Sequence, residues 1–269
     1  MFVVFAATII CGMCLFTSCK QDNINLNEKI IGKWILAETN GNPTLTNNKY
    51  VITFTSNTKG YLSASLSSYT EISSFWGDHQ EIDVDITGNM IKNTMVVNEH
   101  LTVVDEMIVT SITDTETKGD LKILWIVDDT VVRTVEESIR TVRVNKDYSN
   151  AILGTWEGQV TSDDDVYTDR QFHRWQFNAD GIYVYFRHTD DGQWEDEVNA
   201  YANFFIDGTL LCMRWKNTGE DQKEHYEWWE LESIQNGEMK WKGLRKHEDG
   251  STFTASFGMT IVSDSKNQQ

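Results

Sequence analysis

The chain has 269 residues, 40% of them hydrophobic and 12% aromatic, with a single proline and a formal net charge of −18. Ten Trp, nine Tyr and twelve Phe suffice to bury a core, which excludes a disordered acidic tail. Forty-one acids against twenty-three bases exclude nucleic acid as a partner, because polyanion binding needs clustered Lys and Arg to displace counterions.

Met1 to Ser18 carries no charge, and the polar run Lys20 to Asn27 follows at once. The apolar stretch is shorter than a membrane-crossing helix needs and reads as a secretory signal, residues 1–18. Its ending, Leu15-Phe16-Thr17-Ser18-Cys19, resembles the lipobox of bacterial lipoprotein signal peptides. The resemblance implies that Cys19 is acylated and becomes the first residue of the mature chain. Residues 19–27 are then a lipidated spacer, and the membrane is a partner through the anchor. The implied location is the cell envelope, at the outer membrane, on its periplasmic or its outer face. Cys11 and Cys14 leave with the signal, so Cys212 alone remains and no intrachain disulfide is available. Within Leu210-Leu211-Cys212-Met213 it reads as a small buried apolar side chain. A short helical turn is expected between Asn25 and Lys33, capped by Asn27.

The remainder is written twice. Ile31-Gly32-Lys33-Trp34 returns as Leu153-Gly154-Thr155-Trp156, Phe54 returns as Phe177, and Ser111-Ile112 returns as Ser233-Ile234, all at spacings of 122 or 123 residues. A period of that size is a duplicated domain and not a solenoid repeat. The boundary falls in the polar run 145–150, which assigns 28–146 and 150–263 to the two units and leaves 264–269 as a tail.

Each unit has strand periodicity. His173, Trp175 and Phe177 alternate with Phe172, Arg174 and Gln176, and Asn178-Ala179-Asp180-Gly181 then fits a type I turn closed by a glycine with positive φ. On that hairpin Phe177 faces Tyr183 and Trp175 faces Tyr185. Asp207-Gly208 and Asn236-Gly237 mark further hairpins, and Phe253, Ala255, Phe257, Met259 and Ile261 share one side of the last strand. Short strands with regular turn signals indicate an all-β antiparallel meander, barrel or sandwich.

Gly-x-Trp at the start of each unit, followed by a strand-turn-strand of the type Phe-Asn-x-Asp-Gly-x-Tyr, resembles the lipocalin-like domains of bacterial lipoproteins. The resemblance implies two tandem antiparallel up-and-down β-barrels, with Trp34 and Trp156 closing one end of each. It also implies an Arg from the last strand over this Trp. Arg143 serves in the first unit, and the second ends Met259-Thr260-Ile261-Val262 without one.

A barrel of about eight strands is filled by side chains or holds one small ligand. Seven of the ten tryptophans lie in the second unit, which makes it the better candidate for a small apolar, planar or sugar-like ligand. The candidate ligand residues are Trp175, Tyr183, Tyr185, Tyr201, Trp215 and Trp228. Two other readings compete with this one. In the first, both barrels are filled and act as an interaction module through Trp76 or Trp194. In the second, the protein binds cell-surface carbohydrate on a Trp194 platform.

Catalytic and metal signatures are missing. Asp163-Asp164-Asp165 with Asp169 lacks the turn glycine and terminal Glu of a calcium loop, and no histidine has a zinc-spaced partner. Glu224, Glu230 and Glu232 share one strand face, taken as the wet one, rather than straddling a cleft. The chain is therefore expected to be a non-enzyme without metal or cofactor. Cys19→Ala is expected to abolish fatty-acid labelling in the producing cell, and unchanged labelling would refute the anchor.

Overall fold

Period-two alternation makes each unit a sheet with one apolar face, and curling that face inward hides it. The computed structural model describes residues 25–66, 75–162, 172–189, 191–218 and 223–262. The signal stretch with Cys19, the acidic run Asp163–Asp165 with Asp169, and the tail 264–269 lie outside the described residues. The fold is all-β, as two tandem antiparallel barrels.

The first unit contains β1 (Gly32–Thr39), β2 (Asn42–Pro43), β3 (Tyr50–Phe54), β4 (Lys59–Leu66), β5 (Phe75–Thr87), β6 (Met90–Val96), β7 (Leu101–Ile112), β8 (Glu116–Val127) and β9 (Thr130–Arg143). From β3 onward each strand pairs with the next, β1 pairs with β3, and β9 returns to β1 with Trp34 opposite Arg143, so the barrel is closed. The second unit contains β10 (Gly154–Val160), β11 (His173–Phe177), β12 (Tyr183–His188), β13 (Trp194–Asp196), β14 (Asn199–Asp207), β15 (Leu210–Asn217), β16 (Glu224–Gln235), β17 (Glu238–Lys246) and β18 (Thr252–Ile261).

Closure of the second barrel is incomplete. Its sheet runs from β13 to β14, and β12 meets β14 only at the Ile182–Asn203 bridge and the Phe204 N–H to Gly181 carbonyl bond of 2.8 Å. The cause is local: β13 pairs with Phe186 to His188 and takes the edge of β12 that β14 would otherwise use. The expected hairpin is present, with Gly181 at φ 78°, Phe177 opposite Tyr183 and Trp175 opposite Tyr185.

The same plug seals one end of both barrels. Trp34 and Trp156 are each 1% exposed. Their indole N–H groups donate to the carbonyls of Ile30 and Ile152, four residues earlier, at 2.6 and 2.7 Å. Gly32 and Gly154 sit at φ 127° and 125°, a conformation that admits glycine and lets the strand start next to its plug. Arg143 lies over the Trp34 ring at 4.1 Å and donates to the carbonyls of Lys29, Ile31 and Asp114, each at 2.7 Å. Ile261 pairs with Trp156 at the matching place, and at this strand end it is 43% exposed instead of joining the inner side. The helical turn α1 spans Leu26–Lys29, with Asn25 and not Asn27 at its cap position and no side-chain cap bond. Burial of Leu26 and Ile30, one turn apart, sets its place instead.

The outer faces of the two barrels pack on one another. Ile35 and Val51 meet Phe205, Leu210 and the fully buried Cys212, with Trp76 and Trp228 against them. Lys33 pairs with Asp207, which is 2% exposed and also accepts from the Ser63 hydroxyl at 2.6 Å. Burial works against the Lys33 charge, but the Asp207 carboxylate outweighs it and raises its pKa. Around this pair, Lys49 bridges to Glu230 at 2.6 Å, the Trp228 indole donates to the Ser65 carbonyl at 3.0 Å, and the Leu244 N–H donates to the Thr46 hydroxyl at 2.8 Å. The Glu224–Glu230 face of β16 was expected to be wet, yet Glu230 bonds across this junction, so the face looks toward the first barrel. Removing one partner of a buried ion pair leaves the other uncompensated. Asp207→Ala is expected to cost about 3 kcal/mol in urea unfolding and to split one calorimetric transition into two. A variant as stable and as cooperative as the parent would contradict that role.

Candidate functional site

The second barrel encloses a cavity of about 380 Å³ at the end away from Trp156. Strand phase decides which side chains reach it. On β16, Glu227 and Trp229 point inward while Tyr226 and Trp228 point out, and on β15 Trp215 points inward. Four of the six nominated residues, Trp175, Tyr183, Tyr185 and Trp215, line the cavity. Tyr201 and Trp228 do not. Trp228 faces the first barrel, and Tyr201 lies on the outer face, where its hydroxyl donates to Glu224 at 2.6 Å. Tyr201 keeps the outward phase of Asn203 and Phe205, whereas the register shift between Asn199 and Tyr201 turns Asn199 inward.

The rings form one wall. Trp175 packs against Tyr185 at 5.4 Å and Phe257 at 5.5 Å, His173 stacks on Trp175 at 5.5 Å, and Trp215 stacks on His225 at 5.2 Å. The His173 Nδ1 and Tyr185 hydroxyl are 2.7 Å apart. Glu197, beside Tyr185, and Glu227 and Asn199, on the strands that flank Trp215, complete the lining. Burial raises the Glu227 pKa, and the nearby Arg245 guanidinium and Trp229 indole offset only part of that. Burial, reinforced by Glu227 and Glu197, holds the Tyr183 hydroxyl neutral. Buried Asn199 Oδ1 has no hydrogen-bond partner among the described residues. The cavity thus offers aromatic faces and hydrogen-bond acceptors.

Neither alternative tryptophan stands free. Arg174 covers a face of Trp194 at 4.2 Å and His188 meets it edge-on at 4.9 Å. Trp76 is half-buried at the junction, edge-on to Phe205 at 4.8 Å and under Arg214 at 4.8 Å, which corrects its expected place in an exposed loop.

Sequence reasoning passed over the interior of the first barrel. Two adjoining cavities, of about 280 and 80 Å³, share Tyr50, Ile123 and Trp125 in their walls. Glu137 and Arg133 line the larger, and Asp105 and Asn93 line the smaller. Burial alone pushes the Asp105 carboxyl up to about 7. Burial first, then the charges of Asp105 and Glu137, pushes the Tyr50 hydroxyl up. The signal was available: Asp105 occupies the apolar phase of Val103-x-Asp105-x-Met107, and Glu227 likewise precedes inward Trp229 by two.

Among the described residues, no group of three or more His, Cys, Asp and Glu is placed to hold a metal ion, and no helix is long and apolar enough to cross a membrane. No family model and no curated protein matches the chain. Among solved structures, a transferrin binding protein B mutant from Haemophilus parasuis aligns with a TM-score of 0.24 and 12% identity over 80% of this chain and 53% of that one. A DUF3598-family protein of unknown function from Nostoc punctiforme aligns with a TM-score of 0.22 and 10% identity over 87% of this chain and 97% of that one. This chain therefore spans about half the length of the first. Likenesses of that size decide nothing about the activity of this chain.

Asp105 makes a pH prediction. An unfolded aspartate titrates near 3.9, and the folded one at about 7, so between those values the native state binds more protons and stability falls as pH rises. Asp105→Asn is expected to lose this slope, so that the parent declines relative to the variant between about pH 4 and about pH 7 in urea midpoints. Parallel profiles would refute the assignment.

Proposed function

We propose that this chain is a non-catalytic binding protein of the bacterial cell envelope, held there by acylated Cys19, whose second barrel takes one small ligand. The ligand carries a flat or sugar-like ring and several N–H or O–H donors. One observation carries the reading: the 380 Å³ cavity is lined by the rings of Trp175, Tyr185 and Trp215 together with the acceptors Glu197, Glu227 and Asn199. Its volume lies within the range of small-molecule pockets, and its mix of apolar walls with a few convergent polar groups is what such pockets have. Stacking on the rings supplies affinity, and the acceptors select for donors.

The buried Asn199 Oδ1, without a partner among the described residues, is costly to leave unsatisfied, which favours a donor-rich ligand over a plain hydrocarbon. The covered faces of Trp194 and the junction position of Trp76 leave the surface-platform readings less support than the cavity has.

Native mass spectrometry of the chain purified from its own cells is expected to show a retained small molecule. Trp215→Ala, which removes one wall of a partly exposed ring pair, is expected to weaken retention about tenfold while leaving the circular dichroism spectrum unchanged. An adduct-free parent whose tryptophan fluorescence answers no ring-bearing donor would end this proposal.

A further inference from the structure

The duplication sets one buried carboxyl against another. Asp105 and Glu227 stand 122 residues apart, the spacing that separates Ile112 from Ile234, and each points into its own barrel from the matching strand, β7 or β16. Their surroundings have diverged. The neighbour of Asp105 on β8 is Ile123, and 122 residues later the chain has Arg245, whose charge acts on Glu227. Trp175 and Tyr185 of the second cavity correspond, at the spacing of 123 that relates Phe54 to Phe177, to Ile52 and Leu62 of the first. The second barrel has an aromatic wall and a compensated acid. The first has a more aliphatic wall, and its acid has no counter-ion among the described residues.

We infer that the first barrel is a second binding site, independent of the one proposed for the second barrel, for a small aliphatic amine held as its ammonium ion by Asp105 and Asn93. Three features converge on this. Asn93 is 8% exposed and lines the same 80 Å³ cavity as Asp105, from the facing position on β6, and its Oδ1 has no partner among the described residues. An ammonium group carries the N–H donors that an orphaned amide oxygen and a carboxylate both lack. Second, the smaller cavity has room for about two or three water-sized groups, which suits a charged head, and the alkyl part continues past Tyr50 and Trp125 into the 280 Å³ space. Third, those two rings flank the passage and favour a cation over a neutral head.

The charged and titratable groups around Asp105 favour the same occupant. Tyr50 faces it from β3 and is held neutral, while Glu137 and Arg133 of β9, one acid and one base, line the larger cavity. Asp105 has no ion-pair partner among the described residues, and burial pushes its carboxyl up to about 7. An ammonium ion binds to the carboxylate form, so the proton leaves Asp105 as the amine enters, and affinity falls as pH drops below that value.

The test is calorimetric titration of the full chain with hexylamine, hexanol and hexanoate, which share a tail and differ in head. Hexylamine is expected to bind at least about tenfold tighter than the other two near pH 8, and about tenfold weaker near pH 5.5 than near pH 8. Asp105→Asn is expected to lose that preference and its pH dependence while unfolding at the same or higher urea concentration near pH 8. Glu227→Gln is expected to bind hexylamine as the parent does, which separates this site from the second barrel. Equal binding of hexanol, no binding of any probe, an unaffected Asp105→Asn, or loss in Glu227→Gln would each overturn the inference.

Discussion

Each barrel rests on one bond: a fully buried indole N–H finds its acceptor in the carbonyl four residues before it. Trp34 and Trp156 carry the largest apolar side chain in their strand and one donor that burial would otherwise orphan. Ile30 and Ile152 supply the acceptors, which fixes the turn before the first strand of each unit and closes that end. With one end plugged, the space left by period-two packing gathers at the other, and both units have their cavities there. The only cysteine among the described residues is Cys212, so packing and hydrogen bonds hold the plugs without a crosslink.

Duplication supplied two copies of this frame, and substitution has since made them different instruments. Arg143 seals the first plug through three carbonyls and the Trp34 face, whereas the second has Ile261 at that place and keeps only its indole bond and packing. Inside, the first barrel is the more aliphatic and the second is built from stacked rings, with Trp229 on Trp241 at 5.3 Å below the cavity. Acids persist inside both, in a setting where burial raises the pKa of each. A buried carboxyl is costly to a fold, and its presence at equivalent places in two divergent interiors is hard to account for by packing.

The junction follows from the same alternation. Side chains that point away from a barrel interior ordinarily meet water, yet Ile35, Val51, Leu210 and Cys212 are apolar and buried. Burial of each barrel's pair requires the other barrel, and the Lys33–Asp207 pair with its Ser63 donor fixes the register of the contact. The same contact removes Trp76 and Trp228 from the surface and from the cavities alike.

The strands, the hairpins at Gly181 and Gly208, the duplication and the two plugs were legible in the chain, because each depends on local alternation, turn chemistry or spacing. Four of the six nominated residues reach the cavity for the same reason: strand phase points Trp175, Tyr183, Tyr185 and Trp215 into the second barrel. Tyr201 failed because it shares the outward phase of Phe205, opposite to inward Ala202 and Phe204, and Trp228 failed because its outward face turns out to meet another barrel. Sequence alone thus determined the period of each strand and the number of units. Tertiary structure decided which inward carboxyls lack partners, how fully each barrel closes and which outer faces meet, because these depend on residues far apart in the chain that only the closed sheets bring within a few ångströms.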